Sequence, residues 1–316
     1  MTLENKYINQ IANITSKAAI SASRFIGKKD KISADQAAVN AMRTELNKLN
    51  IDGKVVIGEG ELDEAPMLYI GEKVGTRKGL PIDIAVDPLE GTNFVANNMP
   101  GGLSVISITE KGNLFQAPET YMNKIAYGKT IPSDAIDLDF SIDKNIKNLA
   151  EATNKKITQL TVCILDRPRH KSIIDKLNEL KVNLKLITDG DVSGALLVTD
   201  EKYKVDLFLG IGGGPEGVLA ACALDAFKCK FQGRFIFESK KDVIRAKQMG
   251  ISDLKKKYIL SEIVKGDSIF CATGITTGDL VHGVILNNKK YVTETLVTPK
   301  NSSLTKIIVK EDIIKP

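Results

Sequence analysis

The sequence has no tryptophan and few other aromatic residues, which make up 5% of its 316 positions. Nucleic-acid bases stack on aromatic side chains, so little surface is available for that kind of binding. The 44 basic residues are interspersed with 39 acidic ones, and we interpret the net charge of +5 as a solvated surface. No apolar run approaches the roughly 20 residues of a membrane span, and the segment up to Lys17 lacks the apolar core of a signal peptide. These absences predict a cytoplasmic protein with no nucleic-acid or membrane partner.

Cysteine is scarce as well, and its spacing points to no special chemistry. The four cysteines are scattered along the chain, and no Cys-x-x-Cys pair occurs. Zinc clusters and disulfide frameworks require closer pairing. We therefore predict that the cysteines are reduced residues of the core.

Helical patterns alternate with short apolar runs along the whole chain, which is typical of an α/β protein. One helix is predicted over 3–26, and a second is predicted to begin near Ser33, where Ser33 and Gln36 match a capping box. The segments 103–109 and 114–116 read as a hairpin around Gly112. Further strands are predicted at 55–57, 82–86, 160–165, 184–188, 205–209 and 268–272.

A cluster of Gly, Lys, Pro, Ser and Asp at 128–140 marks a soft boundary within this alternation. We therefore predict two closely joined lobes, 1–135 and 136–316. Several apolar strands end in acids or glycines, and ligands of open α/β sheets collect beyond the carboxyl ends of strands.

Two carboxylates follow the predicted strand 82–86, in the segment Asp87-Pro88-Leu89-Glu90-Gly91-Thr92. Carboxylate oxygens are hard ligands that suit Mg²⁺ or Mn²⁺, and exposed backbone N–H groups beside them suit phosphate. Together these groups suit phosphoryl transfer, in which metals neutralise charge and position the attacking water.

Other acids lie at comparable positions. Glu59 ends the predicted strand 55–57, and Asp35 falls in the first turn of the helix predicted near Ser33. Asp35 also has a purely structural interpretation, because an acid in the first turn complements the helix dipole. Glu61 and Glu64 are interpreted as solvated loop charges.

At this point the sequence resembles a known family, the class II fructose-1,6-bisphosphatases of bacteria. They belong to the lithium-sensitive, metal-dependent sugar and inositol phosphatases, whose signature is similar to 87–92. The closer similarity rests on longer segments, which follow the family's order from about residue 5 to 300. They are 33–43, 56–61, 63–75, 167–170, 189–191 and 210–213.

The resemblance implies a role for each matching position. It implies a layered α-β-α-β-α fold with mixed sheets, in which lobe 1–135 binds the metal and lobe 136–316 binds the substrate. Divalent metal, Mn²⁺ or Mg²⁺, would be held by Asp35, Glu59, Asp87 and Glu90. The substrate would contact Glu90, Gly91, Thr92, Tyr121, Arg167, Pro168, Arg169, Asp189, Gly190, Asp191 and Gly213. Thr92, Asp63, Glu59 and Lys31 would support catalysis.

Several of these residues have a plain structural alternative. Arg167 and Arg169 can fork onto a phosphate, or can be surface charges around a turn. Asp189 and Asp191 can accept sugar hydroxyls, or can belong to an ordinary turn. The family often has Lys where this chain has Arg167, which alters the fork geometry. The stretch 129–135 is one residue longer than in the family and affects only the shape of a loop.

The implied reaction is hydrolysis of the C1 phosphate of fructose 1,6-bisphosphate to fructose 6-phosphate and phosphate, a step of gluconeogenesis. A water activated by the metal would attack in line and be oriented by Thr92, and either Glu59 or Asp63 would assist its deprotonation. Arg167 and Arg169 would hold the distal phosphate. Sedoheptulose 1,7-bisphosphate presents the same C1 phosphate end and is a second candidate substrate. The resemblance also implies a homo-oligomer, a dimer or a tetramer.

Two rival functions were weighed. Gly212, Gly214 and Gly217 match a dinucleotide fingerprint, which predicts an oxidoreductase, but Pro215 and Glu216 crowd the turn where a pyrophosphate would lie. A non-enzymatic sensor of metals or sugar phosphates is the second rival, and the intact acidic positions argue against it. Phosphatases with a histidine or cysteine nucleophile are disfavoured, because neither an Arg-His-Gly nor a Cys-x5-Arg motif occurs. His170 is interpreted mainly as a structural residue.

Overall fold

The computed structural model describes Leu3 and residues 6–58, 68–301 and 305–313. The α-helices of this part of the chain are α1 (Lys6–Ser23), α2 (Lys31–Leu46), α3 (Thr92–Ala96), α4 (Ile142–Thr153), α5 (Lys171–Glu179), α6 (Asp191–Leu196), α7 (Gly214–Ala226), α8 (Lys240–Gln248) and α9 (Leu260–Ile263). None of these helices combines the length and apolar character that crossing a bilayer would require.

The strands form two sheets. They are β1 (Ile51–Ile57), β2 (Lys73–Val74), β3 (Leu80–Glu90), β4 (Leu103–Glu110), β5 (Tyr121–Tyr127), β6 (Thr161–Leu165), β7 (Asn183–Ile187), β8 (Leu207–Gly213), β9 (Lys230–Ile236), β10 (Tyr258–Ile259), β11 (Ser268–Gly274), β12 (Ile285–Asn287), β13 (Lys290–Pro299) and β14 (Lys306–Ile313). The first sheet has the order β12-β13-β11-β4-β3-β1-β2, with β14 paired to β13, and the second has the order β10-β9-β5-β8-β6-β7. Both sheets combine parallel and antiparallel pairs. The predicted α/β class with mixed sheets is therefore confirmed.

The contacts group the chain into two compact units, which we call unit 1 (Met1–Gln116 with Val264–Pro316) and unit 2 (Ala117–Ile263). Unit 1 contains the first sheet and unit 2 the second. The predicted lobes, 1–135 and 136–316, do not coincide with this grouping. The reason is that β11 pairs with β4 along its whole length, which returns the C-terminal part of the chain to the first sheet.

In unit 1, two helices cover the first sheet. α1 packs against β3, β4, β11, β13 and α2, while α2 packs against β3 and α3. The inward face of α1 carries Ile11, Ile14 and Ala18, which are almost fully buried at helical spacing. Burying these apolar side chains holds α2 against β3, which positions the acids carried by these two elements.

In unit 2, helices lie on both faces of the second sheet, with β5 between β8 and β9 near its centre. Ile125 and Tyr127 of β5 point into an apolar cluster with residues of α4 and α5. Their neighbours Met122 and Lys124 point to the other face, where α7 passes over them. This alternation places a lysine in the interior of the unit.

Three local predictions were wrong. The N-cap of α2 is Asp30, whose carboxylate accepts a hydrogen bond from the Ser33 N–H at 2.9 Å, so Ser33 lies inside the helix. Leu114 does not form a hairpin with β4, because it bridges to Val264, a residue 150 positions away. The strand predicted to end at residue 209 is β8, which continues to Gly213.

Candidate active site

The acidic segment 87–92 lies where β3 ends and α3 begins. The pairing of β3 with β4 is regular up to Asp87 and Val105, and then shifts so that Glu90 faces Leu103. Between these two pairs β3 advances by three residues and β4 by two, so β3 contains a β-bulge. A bulge changes the direction of the side chains at the end of a strand. The Asp87 carboxylate accepts a hydrogen bond from the Leu89 N–H at 3.1 Å, and this bond closes the bend. Glu90 is buried.

Gly91 makes the turn from β3 into α3. Its φ of 79° and ψ of 53° lie in the left-handed region, where residues with a side chain are strained. A Cβ atom at this position would lie 2.6 Å from Cδ2 of Phe94. Glycine is therefore required for two independent reasons, and the turn it makes places Thr92 as the first residue of α3, two residues after the buried Glu90.

Asp35 lies on α2, the helix that packs against β3 and α3. One carboxylate oxygen, Oδ1, is buried and has no hydrogen-bond partner in the described part of the chain. Burial raises the pKa of Asp35 to about 6. Because α2 begins at Lys31, Asp35 is beyond the first turn, where the helix dipole acts most strongly, and the dipole interpretation is weakened. An unpartnered buried carboxylate oxygen is the kind of group that a hard cation would satisfy.

Three of the four predicted metal ligands therefore lie in unit 1, on α2 and β3, which pack together: Asp35, Asp87 and Glu90. The fourth, Glu59, and the catalytic candidate Asp63 lie outside the described residues. Within the part of the chain that the structure describes, no three His, Cys, Asp or Glu side chains are placed to hold one cation. The carboxylate oxygens of the three acids suit a divalent metal. The fourth predicted ligand, Glu59, belongs to the segment that is not described. Lys31 is exposed at the start of α2.

The substrate contacts predicted beyond residue 120 gather at one edge of the second sheet. Strands β6, β7 and β8 run parallel, so their carboxyl ends meet there. They lead into Arg167–Arg169, Asp189–Asp191 and Gly213 respectively. β5 runs antiparallel to β8, and its first residue, Tyr121, pairs with Gly213 at the same edge. Four segments that are distant in sequence thus come together in unit 2, as the pattern of strand ends predicted.

Arg169 is held in a defined orientation at this edge. Its Nε donates a hydrogen bond to the Ile211 carbonyl at 2.9 Å, and its guanidinium lies 4.8 Å from the ring centroid of Tyr121. Arg167 is 3.8 Å from the Asp189 carboxylate, which is a looser ion pair. Both arginines are thus arranged by neighbours that were themselves predicted to contact the substrate, and a planar guanidinium suits phosphate.

His170 links the arginine turn to β8 from within the core. It is fully buried, and its Nε2 accepts a hydrogen bond from the Ile211 N–H at 2.7 Å. Its Nδ1 lies 2.7 Å from the Leu165 carbonyl and therefore carries the proton. Burial lowers the pKa of His170, so the ring is neutral. Its two hydrogen bonds are structural: they tie Leu165 to Ile211, the residue whose carbonyl holds Arg169.

Lys124 is a residue of this edge that the sequence analysis missed. It is 1% exposed, and its ammonium group donates to the Asp191 carboxylate and, at 2.8 Å, to the Gly213 carbonyl. Glu216 of α7 is close enough to interact with it electrostatically: burial raises the pKa of Glu216, and Lys124 acts against that rise. The available signal was that Lys124 is the one charged residue of β5 and lies on the face it shares with the buried Met122.

The glycines of the dinucleotide fingerprint have a different use in the structure. A Cβ atom at Gly212 would collide with the Asp191 carboxylate, and one at the neighbouring Gly213, a position that the fingerprint leaves variable, would collide with the Glu216 carboxylate. Both glycines belong to β8, and α7 follows at once, without the loop that cradles a pyrophosphate. The antiparallel β5 also separates β8 from β9, so the two strands do not form the adjacent parallel pair of a dinucleotide-binding unit. These observations remove the basis of the oxidoreductase hypothesis.

Comparison with known proteins gives consistent matches. The model of the family described as bacterial fructose-1,6-bisphosphatase, glpX-encoded, matches residues 5–312. Fructose-1,6-bisphosphatase 1 class 2 of Escherichia coli K12 is 41% identical over 302 residues, which cover 91% of this chain and 89% of that protein. The D-fructose 1,6-bisphosphatase class 2/sedoheptulose 1,7-bisphosphatase of Synechococcus sp. (strain JA-2-3B'a(2-13)) is 40% identical over 336 residues, which cover 97% and 95%.

Among solved structures, the extragenic suppressor protein suhB of Bartonella henselae matches with a TM-score of 0.38 and 12% identity, covering 81% of this chain and 93% of that one. The resemblance found in the sequence is confirmed by the family match and by the relatives at about 40% identity. The chain belongs to the glpX-encoded bacterial fructose-1,6-bisphosphatases, the class 2 enzymes.

Proposed function

We propose that the protein hydrolyses the C1 phosphate of fructose 1,6-bisphosphate and releases fructose 6-phosphate and inorganic phosphate. The supporting observation is that the chain aligns over nearly its whole length with class 2 enzymes. It keeps both groups of residues that the reaction needs, those proposed for the metal and those proposed for the sugar phosphate. Unit 1 carries Asp87 and the buried Glu90 at the end of β3, and unit 2 carries arginines and aspartates at one sheet edge. The reaction is a step of gluconeogenesis, and we propose that it takes place in the cytoplasm and that the enzyme is a homo-oligomer.

The acids of unit 1 are proposed to hold the divalent metal on which this family of phosphatases depends. Asp35, Asp87 and Glu90 would be ligands together with Glu59. When bound, the metal, which we propose to be Mg²⁺ or Mn²⁺, neutralises phosphate charge and lowers the pKa of water. Asp35 supplies the clearest support, since its buried Oδ1 has no hydrogen-bond partner among the residues that the structure describes.

The other residues of this unit would act on the attacking water and on the reacting phosphate. Thr92 is the first residue of α3, after the turn that Gly91 makes, and its hydroxyl would orient the water by hydrogen bonding. Either Glu59 or Asp63 would take the proton from that water, and Lys31 would support the reaction with its positive charge. Orientation of this kind is effective because a well-placed nucleophile reacts without further loss of freedom.

Unit 2 is proposed to recognise the sugar and the distal phosphate. Arg169 is oriented by the Ile211 carbonyl and by Tyr121, and Arg167 by Asp189, so their guanidiniums need little ordering when they meet a phosphate. Asp189 and Asp191 would accept hydrogen bonds from sugar hydroxyls. Assigning the two phosphates to different groups of residues favours a bisphosphate over a monophosphate, because a substrate without the distal phosphate offers the arginines no phosphate to bind.

Sedoheptulose 1,7-bisphosphate is a second candidate substrate. The relative from Synechococcus is named for both bisphosphatase activities. Both sugars end in the same C1 phosphate, so the acids of unit 1 would treat them alike. Discrimination would fall to the residues of unit 2 that meet the rest of the sugar.

The test is phosphate release from fructose 1,6-bisphosphate, sedoheptulose 1,7-bisphosphate and fructose 6-phosphate, with Mg²⁺ or Mn²⁺ and with the metal chelated. We expect metal-dependent release from the bisphosphates and little from the monophosphate. Binding of the bisphosphates without release would instead support the sensor hypothesis.

A pair of variants on the same strand sharpens this test. Glu90→Gln should lower kcat by more than about 100-fold, because even the outer partners of metal ligands typically contribute 10–100-fold. Asp83→Asn is the matched control: Asp83 is also buried on β3, but its carboxylate accepts a hydrogen bond from the Gly112 N–H at 2.6 Å, and an amide oxygen can do the same. Wild-type turnover in Glu90→Gln would contradict the proposed role of this acid.

A further inference from the structure

Lys124 is buried in the middle of unit 2 and cannot be explained as a surface charge. β5 has β8 on one side and β9 on the other, and the side chain of Lys124 points into the face covered by α7. Gly217 of α7 gives it room, since a Cβ atom there would lie 3.2 Å from Cδ of Lys124. An ammonium group is expensive to bury, so its position requires compensating partners.

The partners of Lys124 are all at the edge of the sheet that is proposed to meet the sugar. Its ammonium group donates to the carboxylate of Asp191, which is the first residue of α6, and to the carbonyl of Gly213, the last residue of β8. Asp191 is itself buried. One side chain thus ties together the ends of two elements that are 22 residues apart and holds a proposed substrate contact on each.

The charges at this edge give the second part of the argument. Asp191 is an acid beside a proposed binding surface for a substrate that carries two phosphates. Its negative charge would repel such an anion, and in a buried environment the repulsion is poorly screened. Lys124 forms an ion pair with Asp191 and offsets that charge. Removal of Lys124 would leave Asp191 in place without its counter-ion.

We propose that Lys124 is a positioning residue for the substrate: it fixes the Asp191 carboxylate and the Gly213 carbonyl, and it balances the charge of Asp191 beside an anionic sugar phosphate. This inference rests on the proposed function, because it assumes that the edge of unit 2 binds a sugar phosphate. Lys124 itself acts through its neighbours, since its ammonium group is engaged by them and is only 1% exposed.

The test uses the full-length enzyme with Lys124→Met, Lys124→Gln and Lys124→Arg. A hydrogen bond to a charged group is worth roughly 10- to 100-fold in binding. We therefore expect Lys124→Met and Lys124→Gln to raise KM for fructose 1,6-bisphosphate by about ten-fold or more, with kcat changed by less than about three-fold. Lys124→Arg keeps the charge and the donors, and it should recover most of the lost affinity.

Lys257→Met is the matched control. Lys257 is also a partly buried lysine of unit 2, and it pairs with Asp137 and, at 2.9 Å, with Asp139. Its loss breaks an ion pair of the same unit but removes nothing from the edge formed by β5 and β8. KM should stay at the wild-type value in this variant, even if the melting temperature falls.

Calorimetric binding of fructose 6-phosphate, measured on every variant, separates this inference from the proposed function. If the wild type binds the sugar phosphate but releases no phosphate, the proposed activity fails while the role of Lys124 is still read from the binding constants. An unchanged KM and unchanged binding in folded Lys124→Met or Lys124→Gln would overturn the inference. Failure of both neutral variants to fold would overturn it as well, because Lys124 would then be a residue of the core.

Discussion

Gly91 offers a sharp test of how the turn at the end of β3 is built. The substitution Gly91→Ala adds one methyl group at a φ of 79°. The left-handed conformation costs a residue with a side chain about 1–2 kcal/mol, and a less flexible unfolded chain returns about 0.4–1 kcal/mol of that. The added methyl would also lie 2.6 Å from Phe94 Cδ2, and overpacking of this kind costs about 1–3 kcal/mol. The total is a destabilisation of about 1–4 kcal/mol.

Gly112→Ala is the control for the backbone part of this cost. Gly112 also belongs to unit 1 and has a φ of 87°, but no atom lies within 4 Å of the position its Cβ would occupy. Only the conformational terms apply to it, and we expect a loss of about 1 kcal/mol or less. The difference between the two variants therefore measures the contact with Phe94.

Stability is best followed by far-UV circular dichroism in urea, because the protein has no tryptophan. Phosphate release gives the second readout. A shift of about 1 Å in Glu90 or Thr92 can cost about 100-fold in rate, so Gly91→Ala should lose most of its activity while Gly112→Ala keeps it. Equal destabilisation of the two variants, or wild-type activity in Gly91→Ala, would refute the reasoning.

Two buried titratable groups give further predictions. Burial lowers the pKa of His170 below its ordinary value of 6.5, so the neutral ring stabilises the fold fully above pH 6.5 and this stability is lost as the pH falls towards the lower folded pKa. The urea midpoint should therefore drop less between pH 7.5 and 5.5 in His170→Asn than in the wild type. Equal drops in the two proteins would contradict this. Burial raises the pKa of Asp35 to about 6 from 3.8, so the metal-free protein loses stability as the pH rises through about 6. The free energy of unfolding should fall by up to about 1–2 kcal/mol, after allowance for the partial exposure of Asp35. Asp35→Asn should consequently melt higher than the metal-free wild type at pH 8 but not at pH 4, and should gain less on adding Mn²⁺; a lower melting temperature at pH 8 would count against the buried charge.

The segments that we propose to carry the chemistry could be picked out of the sequence because each is local. The acids of 87–92 and the arginines of 167–169 directly follow apolar runs, and strand ends are visible in the alternation of the sequence. The start of α2 was misplaced by two to three residues because both Asp30 and Ser33 are good capping residues. Only the observed bond from the Ser33 N–H to Asp30 distinguishes them. The predicted hairpin of β4 with 114–116 was wrong for a different reason. Leu114 pairs with Val264, and a contact between residues so far apart in sequence leaves no local pattern.

By itself, the sequence determined the α/β class and the family, and it placed most of the residues to be tested at the ends of strands. Those features follow from local periodicity and from strings of neighbouring residues. Only the tertiary structure decided that Lys124 is buried against Asp191 and Gly213, and that Gly212 and Gly213 make room for acids rather than for a dinucleotide. The physical reason is that a lysine reads as a surface residue unless its partners are known. Here the partners lie 67 and 89 positions away, and only the pairing of β5 with β8 and the packing of α6 bring them to it.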